Sequence, residues 1–261
     1  MRNPKIEFDQ LQMYFGEPYV IDLEDAMGTV TVYQPTIGNI ISLGEKKFYQ
    51  TLNIFITNTT SHRLELWENK LDWNVVSDFE LFCMSYKNID KDVSKLLFHN
   101  IDFSKFEVIK KEINGNVSLI MYDFESETEI NENVYHHFCQ YLRNVFNTFP
   151  EEKITSDKIM KKWFIEKDKR QLAIDKQKAE KGKLESQTIQ PLISACVNHP
   201  GFKYKKNELR EIGFVEFMDS VKRLQVYESV TSLMTGMYMG MVDLKGMDLK
   251  KELNWTRDIY V

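Results

Sequence analysis

Residue patterning points to an α+β fold, mainly α-helical. Apolar residues recur at helical spacing over most of the chain. Two short segments near the N-terminus alternate β-branched and aromatic residues, and an Asn-Gly pair separates two apolar runs near residue 115. The expected architecture has a small N-terminal antiparallel strand unit, a β-hairpin near 105–122 and long C-terminal helices.

Glu17 to Asp22 and Gly28 to Tyr33 read as two strands, with a turn through Asp25-Ala26-Met27-Gly28. Pro35-Thr36 then supplies a stop and an N-cap. Ile37, Ile40, Ile41, Phe48, Leu52 and Phe55 fall on one helical face, with Gly44 marking a close contact. Asn58 to Ser61 ends this helix, and a short one carrying Leu64 and Trp67 follows. Ser77-Asp78-Phe79-Glu80 has the spacing of a capping box, which places Phe79, Phe82 and Cys83 on a core face. Lys91 to His99 reads as a further short helix.

The period then changes. Phe106 to Ile109 and Val117 to Tyr122 flank Asn114-Gly115, whose residue types favour the positive φ angles of a tight hairpin turn. Asn131 caps the next helix, whose stripe is Val134, Phe138, Tyr141, Leu142 and Val145. Phe149-Pro150-Glu151-Glu152 breaks it. A lobe boundary is expected there, dividing a mixed α/β lobe at 1–150 from a helical lobe at 151–261. In the second lobe residues 156–183 form a long polar helix, with an apolar face in its first turns from Ile159, Met160, Trp163 and Phe164. Thr188 caps the next helix, which carries Ile189, Leu192, Ile193, Cys196 and Val197. Another helix opens at Asn207, is kinked at Gly213, and continues its stripe from Phe214 through Val230 to Met241.

Composition narrows the function class. The 261 residues carry a formal charge of −5, with 43% hydrophobic residues, which fits a soluble globular chain and disfavours a dedicated nucleic-acid binder. Met1 to Glu7 has no apolar run of a secretory signal, and the uncharged stretch Ser229 to Val242 is too short for a membrane span. Cys83, Cys139 and Cys196 are widely spaced among apolar residues, so they read as buried thiols in a reducing compartment.

No catalytic, cofactor or metal site is nominated. His62, His99, His136, His137 and His199 show no ligand spacing, and neither a phosphate loop nor a nucleophile elbow occurs. Two features stand out instead. Lys153 to Lys183 holds eleven Lys/Arg against five acids, a surplus of six that reads first as a solvated helix. Six of the 12 methionines lie between residues 218 and 247, and adaptable Met side chains suit promiscuous binding surfaces as well as ordinary cores. Gly236 and Gly240, four apart, leave a bare helix face for a second helix.

Three segments carry a family resemblance: Val32-Tyr33-Gln34-Pro35-Thr36-Ile37-Gly38-Asn39-Ile40-Ile41-Ser42-Leu43-Gly44-Glu45; Leu66-Trp67 followed by Leu71-Asp72-Trp73, then Ser77-Asp78-Phe79-Glu80-Leu81-Phe82; and Leu253-Asn254-Trp255-Thr256-Arg257-Asp258. Together they resemble tail assembly chaperones of tailed bacteriophages of low-GC Gram-positive bacteria. That resemblance implies a non-enzymatic protein of the host cytoplasm, without cofactor. It would bind apolar helical stripes of the tape-measure protein or other tail proteins during virion morphogenesis, with self-association open. The candidate partner contacts are Met234, Met237, Tyr238 and Met241, with Trp163 and Phe164. A structural neck or baseplate protein is the alternative, and a nucleic-acid-associated phage protein acting through 153–183 stands third.

Overall fold

A computed structural model describes residues 6–22, 28–113, 116–181, 189–242 and 245–259. Short α1 (Gln10–Tyr14) leads into β1 (Tyr19–Ile21) and β2 (Val30–Val32), which pair antiparallel with Tyr19 opposite Val32. Helices α2 (Ile37–Leu43), α3 (Glu45–Ile56), α4 (Arg63–Glu68), α5 (Asp78–Ser85) and α6 (Lys91–Phe98) follow. A three-stranded antiparallel meander comes next, made of β3 (Glu107–Ile113), β4 (Asn116–Asp123) and β5 (Thr128–Ile130). Helices α7 (Glu132–Val145), α8 (Lys158–Glu180), α9 (Gln190–Asn198), α10 (Phe214–Tyr238) and α11 (Leu249–Glu252) complete an α+β, mainly helical fold. No helix of the described residues is long and apolar enough to cross a membrane.

Local sequence explains the first half well. Thr36 and Asn39 form a reciprocal capping box at α2, and Ser77 and Glu80 form another at α5. Asn131 accepts from the Val134 N–H at the start of α7. Gly44, at φ +87°, ends α2 and lets α3 begin at once. The close contact expected there is absent, since a Cβ on Gly44 would meet nothing within 4 Å. Ile37, Ile40, Phe48, Leu52 and Phe55 are buried as expected, whereas Ile41 faces solvent. The 105–122 hairpin is present, and β5 extends it. The Asn114-Gly115 turn, the turn residues 25–27 and the Thr188 cap lie outside the described residues.

The core is strongly aromatic. The Phe55 ring lies 5.2–6.1 Å from the rings of Phe82, Phe98, Phe103 and Phe138. Arg143 on α7 is buried beside this cluster. Its Nε donates to the Ile56 carbonyl at 2.8 Å and its Nη2 to the Thr57 carbonyl at 2.7 Å, satisfying two buried carbonyls left without a helix partner at the end of α3. Cys139 and Cys196 are buried free thiols, while Cys83 is only half-buried. Burial still pushes the Cys83 thiol up to about 12, helped by the neighbouring Glu80 carboxylate, which makes it a poor nucleophile.

Residues on both sides of position 150 share one core, which includes Ile189, Cys196, Leu209, Ile212, Phe214 and Phe217 alongside the residues of α2 to α7. Backbone pairing stitches them together. The Ile37 N–H donates to the Ile212 carbonyl and the Phe214 N–H to the Pro35 carbonyl, both at 3.0 Å, around a Thr36–Gly213 bridge. That bridge corrects the helix expected from Asn207. Only a 3₁₀ turn, Glu208–Arg210, forms there, and Gly213 precedes α10 in extended conformation instead of kinking it.

Candidate partner-binding surface

The connection from α7 to α8 is pinned by polar side chains of the α3–α5 region. Asn58 Nδ2 donates to the Glu151 carbonyl at 3.1 Å, Trp73 Nε1 to the Lys153 carbonyl at 3.2 Å, and Asn74 Nδ2 to the Thr155 carbonyl at 2.6 Å. These bonds fix where α8 starts. Its inner face is then set by Lys161, which pairs with Asp72, by buried Ile165, and by Asp168. Asp168 receives a two-pronged pair from Arg63, Nε to Oδ2 at 2.5 Å and Nη2 to Oδ1 at 2.6 Å. The Arg63 guanidinium also lies 4.8 Å from the Phe164 ring centre.

This arrangement corrects the expected apolar face of α8. Ile159, Met160 and Trp163 point to solvent, with Trp163 54% exposed, and only Phe164 turns inward, onto the Leu66–Trp73–Leu81–Ile165 cluster. Adjacent apolar pairs such as Ile159-Met160 spread over too wide an arc to define one face. The true face is carried by a Lys, an Asp and an Ile whose partners lie far away in sequence. Phe164 is therefore a packing residue, and Trp163 is available at the surface.

The C-terminal end of α10 is apolar and unpacked. Phe214, Phe217, Val221 and Val230 are buried, but beyond Val230 the stripe leaves the core. Met234 is 39% exposed, Tyr238 84% and Met241 78%, while Met237 is half-buried. The helix ends at Gly240, φ +69°, whose N–H donates to the Met237 carbonyl at 3.0 Å, and the Met241 N–H donates to the Gly236 carbonyl at 2.9 Å. The two glycines thus build a chain reversal instead of the helix-packing face expected of them. A Cβ on Gly236 would stand 2.5 Å from Val242 Cγ2 of that reversal.

A second apolar feature lies nearer the body. An open cleft of about 730 Å³ is lined by Tyr49, Leu52, Ile56, Phe146, Leu192 and Met218, bringing α3, α9 and α10 together. Burial pushes the Tyr49 hydroxyl up to about 12, so it stays protonated in that wall. A larger, more polar cleft of about 840 Å³ runs between the β3–β4 hairpin and the first turns of α5 and α7. Among the described residues no group of three His, Cys, Asp or Glu side chains is placed to hold a metal ion.

The chain matches no known protein family, no curated protein and no solved structure. Function therefore rests on the surfaces themselves. The sequence pointed to the Met-rich end of α10 through composition alone. It gave no sign of the cleft, whose walls come from three helices far apart in the chain.

Proposed function

We propose that this chain is a non-enzymatic tail assembly chaperone of a tailed bacteriophage. On this reading it covers apolar helical stripes of the tape-measure protein until tail-tube subunits replace it. The observation that carries the reading is the unpacked end of α10, where Met234, Met237, Tyr238 and Met241 offer flexible apolar contact area without belonging to the core. The likeness of the Val32–Glu45, Leu66–Phe82 and Leu253–Asp258 segments to such chaperones supports it. The apolar cleft between α3, α9 and α10 offers a second place for an amphipathic helix to lay its stripe.

The test combines a pull-down with a stability control. Replacing Met234, Met237, Tyr238 and Met241 together by Ala is expected to reduce capture of the co-expressed tape-measure protein while leaving the melting temperature close to that of the parent. A large fall in melting temperature would make these residues core and refute the reading. Mass spectrometry of infected cells and purified virions separates the structural alternative. Abundance in lysate with absence from particles fits a chaperone, whereas a fixed stoichiometry in particles means a neck or baseplate subunit.

A further inference from the structure

We infer that the solvent side of α8 is a binding surface for a nucleic-acid phosphate backbone. This inference rests on a different surface from the chaperone reading and stands or falls separately. The starting observation is how the charges on α8 are partnered. Of its four carboxylates, Asp168 is paired with Arg63 and Glu166 with Lys169, while Asp175 accepts from Gln171 and, like Glu180, has no ion-pair partner among the described residues. Only Lys161 turns inward, to Asp72. Lys158, Lys162, Arg170, Lys176, Lys178 and Lys181 stand exposed with no ion-pair partner among the described residues. Lys167 lies 5.5 Å from the centre of the Trp163 ring. A chain that is acidic overall thus concentrates a net positive charge on one element, even with Asp175 and Glu180 counted against it.

The geometry of that element suits a polyanion. Its 23 residues span about 34 Å, close to one turn of duplex. At about 100° per residue, Trp163, Arg170 and Lys181 share one line along the helix. Lys167 and Lys178 flank it at about 40–60° on one side, Lys162 lies about 100° round on the other, and Lys158 and Lys176 fall about 140° away, toward the line of Ile165. Beyond Asp168 the helix is exposed nearly all round, so it can enter a groove or lie along a strand. Trp163 adds a stacking face at the end nearest the body. A lipid surface fits less well, because Lys167 and Arg170 interrupt the apolar ridge of Ile159, Met160, Trp163 and Ile174 at its middle. The acidic remainder of the chain would repel nucleic acid and confine contact to this helix.

Fluorescence anisotropy with labelled single-stranded and duplex oligonucleotides two helical turns long tests this across a salt series. Engagement of about five phosphates predicts a log K against log salt slope of roughly −3.5 for single strands and −4.5 for duplex. The Lys162→Gln, Arg170→Gln, Lys178→Gln triple variant is expected to weaken binding about tenfold or more and to flatten the slope by two to three units, with an unchanged melting temperature. The control triple Lys110→Gln, Lys206→Gln, Lys250→Gln should bind like the parent. Trp163→Ala distinguishes the two forms: loss confined to single strands assigns stacking, and no change with retained duplex binding assigns the duplex backbone. Absence of binding at low salt, equal loss in both triples, or equally tight binding to poly-glutamate or anionic vesicles would overturn the proposal.

Discussion

Replacing Arg143 by Met removes a buried cation while keeping most of its stem volume. Two charge-assisted hydrogen bonds disappear, to the Ile56 and Thr57 carbonyls at the end of α3, and a longer 3.5 Å contact with Asp78 goes with them. Each of the two short bonds is worth about 1.5–3 kcal/mol, so the gross loss is about 3–6 kcal/mol. Part of that returns because the guanidinium no longer has to be desolvated. The two carbonyls belong to residues themselves under a tenth exposed, so water reaches them poorly. The net destabilisation is about 2–4 kcal/mol, or roughly 4–8 °C in melting temperature for a chain of this size. Urea unfolding followed by tryptophan fluorescence gives the number directly, provided the m-value stays constant. Arg143→Lys keeps the charge but loses the fork, and should fall between parent and Met variant. A Met variant within about 1 kcal/mol of the parent would refute the idea that Arg143 holds the α3 terminus.

Two further predictions concern the seams of the fold. In Gly38→Ala the new Cβ would stand 2.6 Å from the Arg210 carbonyl oxygen, so overpacking should cost about 1–3 kcal/mol. Gly213→Ala, with open space around the Cβ and φ of −62°, should be nearly neutral; comparable melting shifts in both would show that this seam tolerates separation. The second prediction concerns acid. The hydrogen bond from Lys161 holds the Asp72 carboxyl below its ordinary value, with burial opposing and the Asn74 N–H assisting. A depressed folded value means the anchor contributes fully above the unfolded value of about 3.9 and is lost as pH falls below it. Amide exchange in the first turns of α8 should therefore accelerate below about pH 4 in the parent, while Asp72→Asn should be fast already at neutral pH. An acid transition of the same size in both proteins would disconnect Asp72 from α8.

Sequence legibility followed the range of the forces involved. Thr36, Ser77 and Asn131 announce helix starts through bonds made within three residues, and each cap is in place. The β3–β4 hairpin was legible for the same reason. By contrast β5 is three residues long with Glu129 at its centre, which reads as loop; its burial depends on Lys111, 18 residues away, whose Nζ donates to it at 2.7 Å. The docked face of α8 was hidden because it is written in Lys161 and Asp168, whose partners Asp72 and Arg63 are about a hundred residues distant. The end of α10 shows the opposite failure. Its apolar spacing continues without change past Val230, and nothing in that spacing says that the core has ended.

The stitch between Pro35–Ile37 and Ile212–Phe214 also bears on timing. During synthesis, α2 emerges long before the strand-like segment that completes its backbone pairing. Until the last fifth of the chain is made, the apolar side of α2 and the end of α7 at Phe146 lack Ile212 and Phe214 as cover. Closing so long a loop carries an entropic cost that only the completed seam offsets, so this seam is expected to form late. Nascent chains should therefore present sticky surface on the ribosome, and rapid protease resistance should appear only after residue 217 has cleared the exit tunnel.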